Sequence, residues 1–271
     1  MDDKLRVTML DVGQGEAIFF KFPHGPNFLI DAGKGQEQDK GRFVIAPFLK
    51  SQGIDTLDAL IISHPQEDHI GGMESLLGDF KVKNVIHAGS EYPSALYRRL
   101  KKEIVSKKVR LLIVREGDEI EGFSDTRILV YNPPKGRESE NINNDSLVLK
   151  IIYKDASFLM TGDIEEKVLL DLATKHDVRA DVLKVPHHGA KLASNGNIFL
   201  QEVDPKFSLI SVGKRNRFRH PNPHTLSLLN DLPHNETLRT DLNHAIQLVS
   251  DGRVISLPHA PSGGGVSRKK I

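Results

Sequence analysis

The sequence predicts an α/β protein in which two mixed β-sheets pack against each other and carry helices on their outer faces, an αββα sandwich. The first third of the chain consists of short apolar stretches separated by glycine and proline turns, which is typical of consecutive strands. The next section alternates strand and helix patterns, and the same progression recurs after a long polar loop. Strands followed by mixed units, present twice, indicate two sheets that share a core.

Hydrophobic periodicity defines the elements of the first half. Residues 6–12, 16–22 and 27–30 are apolar-rich and are interrupted by turn residues, so we predict a strand over each. Further along, the pattern predicts strands over 59–63, 82–87 and 109–114, and helices over 43–52, 70–77 and 94–105. The last of these helices is amphipathic, because its apolar positions Leu96, Leu100 and Ile104 recur at helical spacing.

A long loop over residues 132–144, rich in asparagine, proline and charge, separates the two halves. After it we predict strands over 146–153, 157–160, 181–185, 207–212, 245–249 and 254–256, and helices over 165–174, 197–203 and 225–232. Residues 258–271 are rich in Gly, Ser and Pro and end in a basic run, so we expect a disordered tail. Residues 1–257 form one predicted domain.

Composition limits the chemistry that the chain can perform. Hydrophobic residues make up 38% and charged residues 27% of the 271 residues, as in an ordinary globular protein. The absence of cysteine excludes disulfides, thiolate ligands and a cysteine nucleophile, so any metal must be bound by His, Asp, Glu, Asn or Gln. Lys and Arg total 37 against 36 for Asp and Glu, so nucleic-acid binding would depend on local basic patches.

The sequence contains no recognisable signal peptide or membrane-spanning stretch. Its beginning runs straight into a strand pattern, without a basic segment and an apolar core. No apolar run approaches the ~18 residues that a spanning helix needs. We therefore expect a cytoplasmic protein without a membrane partner, and the sequence indicates no particular protein partner.

The strongest functional signal is the stretch over residues 61–72, Ile-Ile-Ser-His-Pro-Gln-Glu-Asp-His-Ile-Gly-Gly. His64, Asp68 and His69 fall between the end of a buried strand and a helix bounded by glycines. Ligand-type residues on the loop after such a strand lie where α/β proteins keep their active sites. The alternative is a surface loop with incidental histidines, but the tight apolar and glycine frame favours a site.

This stretch is similar to the His-x-His-x-Asp-His signature of the metallo-β-lactamase superfamily. Six further segments resemble the ComEC-type branch of that superfamily and occur in the family's order: residues 10–17, 29–33, 143–149, 160–165, 182–189 and 211–223. Each segment is weakly specific, whereas six in order are strongly specific. The resemblance covers roughly residues 5–256 and implies the metallo-β-lactamase fold without the membrane channel, so a transport role is not implied.

The resemblance implies a centre for one or two divalent metal ions. His64 would bind the first ion, whereas Asp68, His69 and His188 would bind the second. Asp163 would bridge the two, and hydroxide activated by the metal would attack the substrate. For Asp163 the alternative is the N-cap of the helix that follows, a role compatible with metal binding.

Two neighbouring residues extend the implied catalytic set beyond Asp68 and Asp163. His187 and His188 cannot point the same way in an extended chain, so we assign His188 to metal and His187 to the phosphate or leaving group of the substrate. Exchange of these two roles is the main alternative. Glu165 is expected to support the site or handle protons, although an ordinary acid in the first turn of a helix fits equally well.

Two departures from the superfamily signature bear on the metal. Gln66 stands in place of the second histidine, and the region of Asn143 and Asn144 stands in place of another. The first metal position would therefore keep His64 and Asp163, with amide oxygens as further ligands. Because oxygen ligands are harder than imidazole, this set weakens the preference for zinc and favours manganese or magnesium. We expect one firmly held ion rather than two.

Substrate contacts are expected on two loops. The basic loop over residues 214–220 includes Arg217, Arg219 and His220 with Phe218 between them, which is typical of contacts to a phosphate backbone. Gln14, or Asp11, would touch the site from the glycine turn over residues 13–15, although a plain β-turn is slightly favoured there. Asp31 is expected to be a structural anchor beneath the loops.

These residues predict a metal-dependent hydrolase that cleaves phosphodiester bonds in nucleic acid. A hydrolase of small phosphoesters or other esters is the second hypothesis, because one fold hosts many chemistries. A non-catalytic binding or signalling module with a degenerate metal site is the third. Retention of Asp68, His69, Asp163 and His188 argues against the third hypothesis.

Overall fold

A computed structural model describes residues 3–258, apart from residues 24, 124, 137 and 138. It has the predicted αββα layout, with one sheet of eight strands and another of seven. Of the predicted disordered tail, residues 259–271 lie outside the described residues. In the part of the chain that the structure describes, no helix has the length and apolar character that crossing a membrane requires.

The strands follow one another along the chain as β1 (Leu5–Met9), β2 (Ile18–Lys21), β3 (Asn27–Ile30), β4 (Thr56–Ile61), β5 (Lys81–His87), β6 (Arg110–Ile113), β7 (Glu119–Ile120), β8 (Thr126–Asn132), β9 (Val148–Tyr153), β10 (Ala156–Met160), β11 (Val182–Lys184), β12 (Phe207–Ile210), β13 (Glu236–Arg239), β14 (Ile246–Ser250) and β15 (Ile255–Ser256). The first sheet has the order β15-β14-β1-β2-β3-β4-β5-β6, and the second has the order β13-β12-β11-β10-β9-β8-β7. Strands β3 to β6 are parallel to one another, and so are β10 to β13.

The helices are α1 (Ala46–Ser51), α2 (Glu67–Ile70), α3 (Met73–Asp79), α4 (Ala95–Ser106), α5 (Glu166–Lys175), α6 (Ser194–Val203), α7 (Pro223–Asn230) and α8 (Thr240–Asn243). Helices α1, α3 and α4 cover the outer face of the first sheet, and α5, α6 and α7 cover that of the second. Alternation along each strand sends every second side chain inward. Phe20 thus packs against Phe158 in the core between the sheets, which also contains Phe28 and Met160, whereas Phe19 faces the helices.

The structure corrects several predicted elements. The helix expected over 43–52 begins at Ala46, because Gly41–Ile45 forms a wider π-helical turn. The helix expected over 70–77 is divided into α2 and α3 at a pair of glycines. Strands β7, β8 and β13 were not predicted, although β8 buries alternate residues as a half-buried strand does. The long loop over 132–144 contains most of a short 3-10 turn, Ile142–Asp145.

Glycine allows the segment that carries α2 and α3 to lie against the first sheet. A methyl group on Gly72 would overlap the carbonyl oxygen of Ala32 and the amide nitrogen of Gly41. These are backbone atoms, so they cannot move aside as a flexible side chain would. The pair Gly71 and Gly72 therefore fixes how closely the loop that carries His64, Asp68 and His69 approaches the end of β3.

We predict that Gly72→Ala lowers the free energy of unfolding by about 1–3 kcal/mol or more, because the added methyl group displaces backbone. The matched control is Gly78→Ala in α3, where a methyl group meets nothing within 4 Å. That variant should be neutral or up to about 1 kcal/mol more stable, since alanine favours helix. Urea denaturation followed by circular dichroism measures both, and equal effects of the two changes would contradict the argument.

Candidate metal centre

The carboxyl ends of parallel strands from both sheets meet at one edge of the sandwich. Asp31 follows β3 and His64 follows β4 in the first sheet, whereas Asp163 follows β10 and His188 follows β11 in the second. Side chains from loops at such an edge converge because strands of the same direction end together. The metal-type residues predicted from distant parts of the sequence are therefore brought to one place.

The side chains at this edge gather around one carboxylate. The imidazole Nε2 of His69 lies 3.3 Å from Asp163 Oδ2, and the Nε2 of His188 lies 3.4 Å from the same oxygen. Asp68 Oδ2 is 3.6 Å from His188 Nε2. The rings of His64 and His69 have centroids 4.0 Å apart. Ligand atoms of His64, His69 and Asp163 lie within 4.8 Å of one another, as do those of Asp68, His69 and His188.

This arrangement has the spacing and the free ligand atoms that a divalent cation requires. The Nε2 atoms of His64, His69 and His188 are buried and make no hydrogen bond with any described residue, and neither does Oδ1 of Asn143. Two ligands about 2.1 Å from one cation lie about 3–3.5 Å apart, as the histidine and Asp163 atoms do. Buried polar atoms without partners are costly, so their convergence fits a metal site.

Hydrogen bonds on the far side of each ring direct the free nitrogen toward Asp163. His188 Nδ1 lies 2.8 Å from the carbonyl oxygen of Ser211, which can only accept, so Nδ1 carries the proton. His69 Nδ1 lies 2.7 Å from Asp31 Oδ2. Asp31 also accepts hydrogen bonds from the amide and the hydroxyl of Ser63. Asp31 is therefore the buried anchor that the sequence predicts, and it orients one imidazole as partners of metal ligands usually do.

Electrostatics at the centre favour added positive charge. Burial alone would raise the pKa of Asp163, but the nearby His188, His69 and Lys184 hold it well below its usual range. Burial opposes protonation of His188, yet the Asp163 carboxylate raises the pKa of His188 to about 9. Burial, followed by the neighbouring His69, lowers the pKa of His64 to about 3, so this ring is neutral. The carboxylates thus attract a positive charge that a divalent cation can also supply.

The two adjacent histidines do not occupy an extended backbone. His187 has φ 49° and ψ 51°, and His188 has φ 54° and ψ 25°, so both lie in the left-handed region. The premise that an extended chain separates them is therefore wrong, and both rings approach the same oxygen. The Nε2 atom of His187 is 4.0 Å from Asp163 Oδ2, compared with 3.4 Å for His188. Only the side chain of His187 is substantially exposed, at 29%, so it faces the solvent-accessible side of the centre.

Glu165 supports the site from the start of α5. Its carboxylate accepts hydrogen bonds from the side-chain amides of Asn141 and Asn143, each at 3.0 Å, and lies 3.6 Å from His187 Nδ1. The bond to Asn143 Nδ2 leaves the amide oxygen of that residue facing the centre. Asn144 instead binds the backbone amide of Glu165 through its side-chain oxygen. Glu165, and not Asp163, is the N-cap residue of α5, which corrects the capping role considered for Asp163.

A cavity of about 360 Å³ opens above the centre. Its lining includes most of the predicted site residues, namely Gln14, Gln66, Asp68, Asn143, Asp163, His187, His188, Arg217 and His220. His64 and His69 lie buried beneath it, at 1% and 0% exposure. Arg219 lies on the same basic loop as Arg217 but does not line the cavity. Asp11 accepts a hydrogen bond from the amide of Gly13 and so stabilises the turn, as the alternative interpretation expected.

The rim of the cavity contains Lys34 and Glu67, which the sequence interpretation did not assign, and also Phe218 of the predicted basic loop. Phe218 is 48% exposed. The Phe218 ring is stacked on His220 at 12° and 5.8 Å, and the guanidinium of Arg217 lies 4.8 Å from its centroid. Gln14 accepts a hydrogen bond from the amide of Gly213, which ties the glycine turn to the basic loop. Basic and aromatic groups, together with the exposed carboxylate of Glu67, therefore surround an acidic and imidazole-rich floor.

Sequence reasoning also missed a buried ion pair beneath Asp163. Lys184 at the end of β11 is fully buried, and its Nζ lies 2.5 Å from Oε2 of Glu16. The same ammonium lies 3.3 Å from Asp163 Oδ1. Burial raises the pKa of Glu16, an effect that Lys184 opposes. A lysine inside an otherwise apolar buried strand was the available signal, because such a charge requires a partner.

Fold and site together define a metal-dependent hydrolase. The chain belongs to the metallo-beta-lactamase superfamily, whose family model matches residues 10–206. Members of this superfamily are typically metal-dependent and hydrolytic, and the resemblance drawn from the motifs is confirmed.

Curated relatives match most of the chain, and a solved structure shares its fold. ComE operon protein 3 of Bacillus subtilis is 36% identical in an alignment that covers 92% of this chain and 33% of that protein. Competence protein ComA of Neisseria gonorrhoeae is 28% identical, over 91% of this chain and 32% of that protein. The chain thus spans about a third of the length of these curated relatives. The metallo-beta-lactamase fold protein YhfI from Bacillus subtilis has the same fold, with a TM-score of 0.60 at 10% identity over 90% of this chain and 99% of that one.

We predict that Asp31→Asn weakens manganese binding about 10–100-fold, since loss of the carboxylate frees the His69 ring from its fixed orientation. Isothermal titration calorimetry measures the affinity directly. Asp58→Asn is the matched control. Like Asp31, Asp58 accepts a hydrogen bond from a backbone amide in the first sheet, but its other partner is Lys83 and not a histidine of the centre. The interpretation of Asp31 would be wrong if both variants retained the native affinity.

Proposed function

We propose that this chain is a divalent-metal-dependent phosphodiesterase that cleaves nucleic acid. The proposal rests on one observation. A single cavity has histidine and aspartate side chains suited to bind metal at its floor and positively charged side chains at its rim. Arg217 on that rim has no ion-pair partner among the described residues, so its charge is available to an anionic ligand. The match to a protein named for competence also favours a role in handling DNA.

The floor residues proposed to hold one or two ions are His64, Asp68, His69, Asn143, Asp163 and His188, with Gln66 beside them. A bound divalent cation supplies two effects for phosphodiester cleavage, a more acidic water and neutralisation of charge on the phosphoryl oxygens. The protein contributes fixed ligand geometry, because both sheets hold these side chains through hydrogen bonds. Substrate phosphate would then be drawn to the floor by the rim and aligned there.

His187 is proposed to act on the leaving oxygen. Burial lowers the pKa of His187, so its ring is largely neutral near pH 7. Its Nδ1 faces the Glu165 carboxylate at 3.6 Å, and its exposed side faces the cavity. A ring in this position can carry a proton to a leaving oxygen, and Glu165 stabilises the charged form. Glu165 is in turn held by the amides of Asn141 and Asn143.

We predict that metal-stripped protein regains cleavage of single- or double-stranded polynucleotide with manganese or magnesium better than with zinc. The reason is that the amide side chains of Gln66 and Asn143 stand where two further imidazoles would favour zinc, so the floor offers more oxygen ligands than a histidine-only set would. Gln66→His should move the preference toward zinc, and Asp163→Ala should abolish both cleavage and bound metal. Gel assays with each ion, together with elemental analysis of the bound metal, provide the measurement.

Other outcomes of this assay would each remove a specific part of the proposal. Cleavage of a small chromogenic phosphodiester without cleavage of any polynucleotide would replace the nucleic-acid substrate by a small phosphoester. Zinc as the best activator of both the native protein and Gln66→His would refute the manganese or magnesium preference. Full activity of Asp163→Ala with its metal retained would refute a metal centre at this site.

We predict that Arg217→Ala reduces polynucleotide cleavage about tenfold or more while the small chromogenic phosphodiester is hydrolysed nearly as before. The dependence of polynucleotide binding on salt should become shallower by roughly 0.7–0.9 in log–log slope, as expected for one lost phosphate contact. Arg219→Ala is the matched control, because it removes the same charge from the same loop outside the cavity. Equal losses on both substrates would mean that Arg217 shapes the metal centre and does not bind the polymer.

A further inference from the structure

The ammonium of the buried lysine beneath the metal centre lies close to three oxygen atoms. Lys184 Nζ donates to the carbonyl oxygen of Gly162 at 2.6 Å, and it contacts Glu16 Oε2 at 2.5 Å and Asp163 Oδ1 at 3.3 Å. The Lys184 side chain is 0% exposed and that of Glu16 is 1% exposed. A buried ion pair gives little stability on balance, because desolvation offsets the attraction. Its position against the central carboxylate therefore points to a role in the site.

Lys184 divides the two oxygens of Asp163 between different partners. Oδ1 faces the ammonium, whereas Oδ2 faces the Nε2 atoms of His69 and His188 at 3.3 and 3.4 Å. A quarter-turn of the carboxylate would break both sets of contacts, whereas a half-turn would only exchange two equivalent oxygens. The ammonium thus fixes the plane of the carboxylate, with one oxygen kept on the lysine and the other turned toward the two imidazoles.

Glu16 would be a competing ligand if it were not paired. Its carboxylate lies within 4.8 Å of ligand atoms of Asp163 and His188, and also within that distance of those of Asp31 and His69. Glu16 is therefore as close to the centre as the proposed ligands are. The backbone also fixes it there, since its amide donates to the carbonyl oxygen of Asp68 and its carbonyl accepts from Gly33. The charge of this carboxylate is balanced by Lys184 alone among the lysines and arginines of the described residues.

We propose that Lys184 is a positioning residue that serves as a built-in cation of the metal centre. Its ammonium neutralises Glu16 and holds one oxygen of Asp163, so that the carboxylate plane is fixed, the other oxygen is presented to a divalent ion and the Glu16 carboxylate is withheld from that ion. The inference rests on the proposed metal-dependent function but not on the identity of the substrate. It predicts that the charge balance of the pair, and not its packing alone, sets the affinity for the ion.

The test measures manganese affinity by isothermal titration calorimetry in variants of the full chain. Lys184→Met keeps an unbranched side chain, one atom shorter, but removes its charge, so Glu16 and Asp163 become available and manganese should bind at least about tenfold more tightly. Glu16→Gln leaves the ammonium without its main partner, so manganese should bind at least about tenfold more weakly. The double variant Glu16→Gln with Lys184→Met removes both charges and should return to within about threefold of the native affinity. Circular dichroism reports whether each variant is folded.

Opposite shifts in the two single variants are the signature of the proposal, because a merely structural role would weaken binding in both. Parallel weakening, or unchanged affinity in folded Glu16→Gln and in the double variant, overturns the inference while the native protein still binds manganese. If Lys184→Met does not fold, weaker binding by Glu16→Gln and recovery in the charge-balanced double variant decide the question. Failure of the native chain to bind any manganese would instead overturn the proposed function, and this inference with it.

Discussion

The carboxylate of Asp163 is 2% exposed and lies where the strands of both sheets end, and the surrounding site depends on compensating its charge. An uncompensated carboxylate in such a place would cost several kcal/mol. The compensation comes from imidazoles of the first and second sheets on one side and from an ammonium on the other. The negative charge of Asp163 thus holds together the loops that follow β4, β10 and β11, and the same charge is available to a metal ion.

Three residues of the same site have a strained backbone. Asp31, His187 and His188 all have positive φ, a conformation that costs residues with a side chain of order 1–3 kcal/mol each. Hydrogen bonds offset this cost, because His188 is tied to Ser211 and Asp31 binds both Ser63 and His69. The result is a set of side chains whose orientation is fixed before any ligand arrives, which is what metal binding and catalysis require.

The sequence revealed those parts of the site that have a local pattern. His64, Asp68 and His69 stand between an apolar strand and a glycine pair, so a short window was enough to identify them. The pair of Glu16 and Lys184 has no such window, because its members come from different sheets and meet only in the folded chain. The basic loop likewise contains information that its sequence does not reveal. Its sequence presents Arg217 and Arg219 alike, whereas the folded loop brings only Arg217 to the cavity.

The floor and the rim of the cavity have different tasks. The floor is suited to bind metal, and the rim is suited to select the substrate. Floor side chains such as His69 and His188 are buried and hydrogen-bonded from behind, so a change there disturbs charge balance across both sheets. On the rim, Phe218 is 48% exposed and packs mainly against its loop neighbours Arg217 and His220. Exchanges at exposed positions such as Phe218 cost little stability, because surface substitutions away from buried networks are usually small in effect, whereas Asn216 holds the loop together through hydrogen bonds to Gly213 and His220. The fold can therefore adapt to different anionic substrates through residues 214–220 while the buried centre stays unchanged.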